Sequence, residues 1–354
     1  MRIAPKRLTL AAPPPDPFGE HRRARYFERV QLLGAQFHFE TDSSRLLRMV
    51  RLAYARLPSH RFSGAVPRLQ VRLMLTPREH SWRAATYAAG EPPAVRTVAA
   101  GGILCGALSG ATLAAIVPQQ RIALIVVPQN LMHYAYHIRY ELLEFAVYVL
   151  AARVQNLVPL HAACVGREGE GILLIGPSGS GKSTLVVQSL LGGLDFLAED
   201  SVLVRPRDLR ATGVANYLHL RPDSLRFLES AQRARLLRES SNIRRRSGID
   251  KLEIDLRRPY YRLAPAPLRI RAVAFLSTRK AGGRPLLMPL SNAAALRRLV
   301  ASQRYAANQP GWASFTHHLD RLPAYELRRG AHPRESVEAL RELLTVKAVR
   351  RSAR

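Results

Sequence analysis

The run Gly176-Pro177-Ser178-Gly179-Ser180-Gly181-Lys182-Ser183-Thr184 constrains what this chain can fold into more than any other part of it. It fits Gly-x-x-x-x-Gly-Lys-Ser/Thr. Before it stands an apolar stretch, Ile172 to Ile175, and after it Leu185, Val186, Val187 and Leu190, which suit a helix packed on a sheet. Strand, glycine-rich loop and helix are the context in which backbone amides turn inward as a nest for phosphate at a helix N-terminus. In such a loop Lys182 is expected to reach the β- and γ-phosphates of ATP, and the Ser183 hydroxyl to ligate Mg²⁺. A turn that binds nothing is the weaker reading, because the whole run and both flanks agree.

A phosphate loop does not say what the phosphate is used for, so the next question is where a carboxylate sits. Phe196-Leu197-Ala198-Glu199-Asp200 reads as a second apolar strand, continued by Val202, Leu203 and Val204, only one helix and a turn beyond Lys182. That interval is short for the distant acid of a motor ATPase. Two adjacent acids there allow one to hold Mg²⁺ while the other accepts a proton from an attacking hydroxyl.

From Leu160-His161 through the loop to Leu197-Ala198-Glu199-Asp200, the segment resembles the catalytic domain of HPr kinase/phosphorylase, whose phosphate-loop region is in turn similar to phosphoenolpyruvate carboxykinase. In that family a histidine opens the strand before the loop strand, and an Asp-Asp pair follows the lysine at this interval. The resemblance implies that Glu199 is the base that deprotonates a serine hydroxyl, that His161 sits beside it, and that Asp200 with Ser183 holds Mg²⁺. Two departures stand out: Glu replaces the first Asp, and Ala211-Thr212-Gly213-Val214 stands where a Gly-rich signature would follow. The sequence looks more like the shorter HPr-kinase-related proteins, some of which phosphorylate a serine of a ribosomal precursor peptide. Lys251, in Ile249-Asp250-Lys251-Leu252-Glu253, is a candidate second cation for the transferring phosphoryl group; a surface lysine on a strand is an equal reading.

The implied fold is an α/β phosphate-loop kinase domain over residues 158–345, preceded by an α+β N-terminal domain over 26–157. A proline-rich lead occupies 1–25 and a basic tail 346–354. In the N-terminal part Phe27 to Phe39 reads as one strand. Asp42, Ser43 and Ser44 offer caps for a helix with Leu46, Leu47, Val50 and Tyr54, and Leu69 to Leu75 alternate as a strand. Ile122 to Val127 is a buried strand and Tyr140 to Arg153 an enclosed helix. The uncharged stretch Val98 to Val117 is long enough to span a membrane, but its glycine clusters predict hairpin strands instead. Strands are further expected at His161 to Val165 and Tyr325 to Leu327, and a helix starting at Pro333.

Composition enters through charge and cysteine. The chain of 354 residues has a net charge of +28, and 49 of its 54 basic residues are arginine. A polyanionic partner explains such a field, and so does a uniform preference for Arg over Lys, which we favour because the arginines are scattered. The denser patches are Arg221 to Arg246 and the acid-free tail. Two cysteines make no disulfide framework, and no apolar leader follows Met1, so a reduced, cytoplasmic setting is expected. His133 with His137, and His317-His318 with Asp320 in a loop-like stretch, lack the further ligands of a zinc site.

The function expected from all this is an ATP-dependent serine kinase acting on a peptide or small protein with an acidic face. Nucleic acid is not favoured as a partner, and homo-oligomerisation is left open. A phosphate-loop ATPase that regulates binding of a polyanion is the alternative from another class. A small-molecule kinase is the third, since acceptor choice lives in loops.

Overall fold

A computed structural model describes residues 24–77, 95–109, 112–244 and 248–345. The expected lead over 1–25 lies largely outside the described residues, and the expected basic tail, Arg245 and Arg246 lie wholly outside them. The architecture is mixed α/β.

The first sheet has seven strands: β1 (Tyr26–Leu32), β2 (Ala35–Thr41), β3 (Arg68–Thr76), β4 (Arg96–Ala100), β5 (Ile103–Ser109), β6 (Thr112–Val117) and β7 (Ile122–Pro128), in the order β1-β2-β3-β7-β6-β5-β4. One face is apolar because side chains alternate along a strand, which puts Phe37 and Phe39 of β2 and Leu69, Val71 and Leu73 of β3 in the core. Tyr54 stacks on Phe39 from the helix Ser44–Tyr54, whose first turn is capped by the Ser43 hydroxyl accepting from the Leu46 amide. A π-helical turn, Ile138–Leu143, runs into the helix Glu144–Gln155 and closes the same core. Leu203 and Val214, from the second half of the chain, belong to that core too.

The second sheet is built from β8 (Val158–Leu160), β9 (Ala163–Arg167), β10 (Glu170–Ile175), β11 (Asp195–Ala198), β12 (Val202–Arg205) and β13 (Arg210–Thr212), with three later strands. A separate three-stranded sheet holds β14 (Tyr217–Leu220), β15 (Ser241–Arg244) and β16 (Asp250–Asp255) in the order β14-β16-β15. The later strands of the large sheet are β17 (Leu268–Lys280), β18 (Leu287–Leu290) and β19 (Ala324–Arg329). Its main path is β11-β9-β10-β17-β13-β12-β8, with β19 parallel to β17 and β18 antiparallel to β19. The phosphate-loop strand β10 thus lies centrally, parallel to β17. The helices Lys182–Leu191 and Pro333–Thr345 share one apolar layer with it, while Leu299 and Phe315, from the helices Asn292–Ser302 and Trp312–Leu319, belong to another. Among the described residues no helix is long and apolar enough to cross a membrane.

Four expectations change. The single strand over Phe27 to Phe39 is a hairpin, because Leu33 and Gly34 both take positive φ (52° and 82°) and reverse the chain. The strand over His161 to Val165 breaks at His161 and Ala162, between β8 and β9. Glu199 and Asp200 do not lie along one strand: β11 pairs with β9 and β12 with β8 and β13, so the acids occupy a bend between two strands. The stretch with His317 and His318 is helical rather than a loop.

Both breaks matter, since a paired strand would have sent alternate side chains into the two packed layers. The bend at Glu199 to Ser201 is held by Gly213. A Cβ there would sit 2.5 Å from the Ala198 Cβ and 3.0 Å from the Leu197 carbonyl oxygen. Gly213→Ala is therefore expected to push on the residue before Glu199, lowering unfolding free energy by about 1–3 kcal/mol and activity with it. Denaturant titration checks this; unchanged stability would refute the crowding.

Candidate functional site

The loop between β10 and the helix Lys182–Leu191 is shaped by its glycines. Gly179 and Gly181 take φ of +79° and +102°, and an added Cβ at either would meet nothing within 4 Å, so both border open space. Gly176 is required for a different reason: a Cβ would stand 2.6 Å from Ser180 Oγ. That hydroxyl is buried and has no hydrogen-bond partner among the described residues. From β19, the Arg329 guanidinium donates to the carbonyls of Gly179 (3.5 Å) and Ser180 (3.3 Å), while the Ser180 amide donates to the Pro177 carbonyl at 3.1 Å and closes the turn.

Lys182 is buried and its Nζ donates to the Gly176 carbonyl at 2.6 Å. Burial lowers its pKa, while Asp200 and Glu199 act against that. Ser183 donates its hydroxyl to Glu199, and Thr184 shares a 2.7 Å hydrogen bond with Ser224. Pro177, Ser178, Gly179, Ser180, Gly181, Lys182, Ser183 and Thr184 line one cavity of about 440 Å³ together with His161, Glu199, Asp200 and Lys251, with Gly176 beneath. Arg221, Arg226, Arg328 and Arg329 add to Lys182 and Lys251, so the walls are strongly basic and fit a polyphosphate. Two arginines of the Arg221 to Arg246 patch thus face the phosphate loop.

The carboxylates divide differently from what the resemblance implies. Ser183 is bonded to Glu199, not to Asp200. Glu199 is buried, with a side chain 8% exposed, and its other oxygen accepts the His219 amide at 2.8 Å. The Asp200 side chain is 48% exposed and stands beside His161, whose Nδ1 lies 3.3 Å from Oδ1 and 3.2 Å from the Asp200 carbonyl oxygen. His161 reaches this position because the chain leaves β8 there, held by Gln303, which accepts from the His161 amide and donates to its carbonyl. The oxygens of Ser183 and Glu199 suit Mg²⁺, which takes one or two protein ligands and completes its shell with phosphate and water. Among the described residues no cluster of three His, Cys, Asp or Glu forms a metal cage.

Behind Glu199 lies a buried polar network absent from the sequence reading. Glu253 of β16 is paired with Arg139 and accepts from the Tyr140 hydroxyl at 2.7 Å; the His219 ring stands 3.1 Å from that hydroxyl. Burial alone would raise the Glu253 pKa, but the His219 hydrogen bond, the Arg139 charge and Tyr140 outweigh it and bring the carboxyl down from 4.5 to about 2. The π-helical turn carries Arg139 and Tyr140 from the first sheet's helix to this point. The signal in the sequence was an arginine among Ile138, Tyr140, Leu142 and Leu143, with Glu141 as the other charge of the stretch.

A depressed carboxyl stabilises the fold above its unfolded pKa, and that contribution disappears as pH falls from 4.5 towards 2. Glu253→Gln should cost about 3–5 kcal/mol at pH 7 by leaving Arg139 buried and unpaired. The gap between wild type and variant should close on acidification. Denaturant midpoints at several pH values test this, and a pH-independent gap would refute it.

No family model matches the sequence, and no curated protein does. Among solved structures, the HPr(Ser) kinase/phosphatase from Coxiella burnetii aligns with 12% identity over 52% of this chain and 87% of that one, with a TM-score of 0.27. The relationship is structural and distant.

Proposed function

We propose that this chain is an ATP-dependent kinase that transfers the γ-phosphoryl group to a hydroxyl, that of a serine in a peptide or small protein. The observation that carries the reading is the pair of adjacent acids in two environments: Glu199 buried against the Ser183 hydroxyl, Asp200 half-exposed beside His161. A nucleotide hydrolase needs a positioned water, whereas a kinase needs a base facing the acceptor, and Asp200 has that exposure.

In this reading the loop amides and Lys182 bind the phosphates, and Ser183 and Glu199 hold Mg²⁺, which supplies charge neutralisation when bound. Asp200 takes the proton of the acceptor hydroxyl as its oxygen bonds to the γ-phosphorus. The bond from that phosphorus to the β–γ bridging oxygen breaks, and ADP leaves. His161 orients Asp200, and Lys251, which lines the same cavity, meets charge on the transferring group. Incubation with γ-labelled ATP and serine peptides tests the reading: label should appear on peptide in wild type and not in Asp200→Asn. Phosphate release at equal rates with and without peptide, and no labelled peptide, would leave a hydrolase.

A further inference from the structure

A second cavity, also of about 440 Å³, has Glu199 and Asp200 in its wall but no residue of the phosphate loop. The two cavities thus share the acid pair. One side of the second comes from Ala198 to Ser201 and Val214 to His219, the other from β4 and the helical stretch Tyr136 to Tyr148 of the N-terminal half. Its volume lies in the range of ligand sites and takes a few side chains, not a protein face.

The two cavities differ in charge. The phosphate-loop cavity has six basic residues in its lining; the second has none among the described residues, in a chain with a net charge of +28. Beside the shared acids it carries Glu141 and Glu144 on its far wall. Its aromatic side is ordered: Tyr136 and Tyr140 have ring centroids 4.7 Å apart, and Tyr140 meets the His219 ring edge-on at 5.0 Å. Arg139 already stands over the Tyr140 and Tyr217 rings, 4.9 and 4.7 Å from their centroids, so the preference rests on the carboxylates, which attract cations and repel a second anion.

We infer that the second cavity receives the acceptor, and that the N-terminal half selects there a hydroxyl carried next to positive charge: a serine flanked by basic residues. This rests on the kinase reading, with Asp200 as the base that both cavities reach. It reverses the acidic acceptor expected from the arginine content, because the arginines that reach the site, Arg221, Arg226, Arg328 and Arg329, line the phosphate-loop side.

The test uses the full chain and two fluorescein-labelled peptides with a central serine, one flanked by arginines and one by glutamates, read by anisotropy and by label transfer from ATP. The arginine peptide should bind about tenfold or more tightly. Glu141→Gln with Glu144→Gln, and separately Thr97→Arg at an exposed strand position, should each weaken it several-fold with ATP affinity unchanged. A glutamate peptide bound equally or better, or an arginine peptide indifferent to both variants, would overturn the inference. Transfer that ignores both variants sinks the cavity and keeps the kinase. Binding that responds to both without any transfer sinks the kinase and keeps the charge preference.

Discussion

Lys182→Met is expected to lower phosphoryl transfer by about 10³-fold or more while the fold survives. In the proposed kinase Lys182 supplies the charge that meets the phosphates, and losing such a preorganised group costs about 10²–10³ in rate even when it is a neutral donor. The fold should tolerate the change because the lysine's hydrogen bond to the Gly176 carbonyl lies at a cavity wall, and methionine fills the same buried stem. Labelled-phosphate transfer and thermal melting, measured on one preparation, check both halves. Transfer near the wild-type rate would remove the phosphate loop from the mechanism; loss of the melting transition would show that Lys182 is structural.

The second large effect separates the two acids. Glu199→Gln should abolish most Mg²⁺-dependent nucleotide affinity, because it removes the charge that faces Ser183 and turns an NH₂ group, which cannot accept, towards either the His219 amide or the Ser183 hydroxyl. Asp200→Asn should leave nucleotide affinity nearly intact and lower kcat by about 10²–10⁴-fold, the scale of a lost general base. The opposite pattern, binding lost with Asp200 and turnover lost with Glu199, is what the family resemblance implies, so nucleotide titration with and without Mg²⁺ decides between them. His161→Gln should resemble a milder Asp200→Asn: turnover falls while nucleotide binding stays, since the ring touches Asp200 and not the loop.

The partition between the acids also explains the place of the N-terminal half. Glu199 receives the amide of His219, whose ring meets Tyr140, and Tyr140 with Arg139 satisfies Glu253. Buried ion pairs of this kind fix geometry more than they add stability, because desolvation consumes most of the attraction. The helical stretch Tyr136 to Tyr148 therefore bears on Glu199 through His219 and Tyr140, and lines the proposed acceptor cavity.

The residues Gly176 to Thr184 determined their own local structure, because a glycine-rich turn between an apolar strand and a helix has few backbone solutions and its chemistry depends on main-chain amides. The alternation over Leu69 to Leu75 and the Ser43 cap were likewise legible, since period and cap act within one turn or strand. Which acid faces which partner was not. Glu199 and Asp200 are adjacent and chemically alike, and their roles separate only because the chain bends between β11 and β12, burying one beside Ser183 and leaving the other beside His161. The arginine count likewise said nothing about direction. The tertiary structure sends basic residues to the phosphate-loop cavity and keeps them out of the described lining of the other, because side chains far apart in sequence meet at a cavity wall only after the sheets pack.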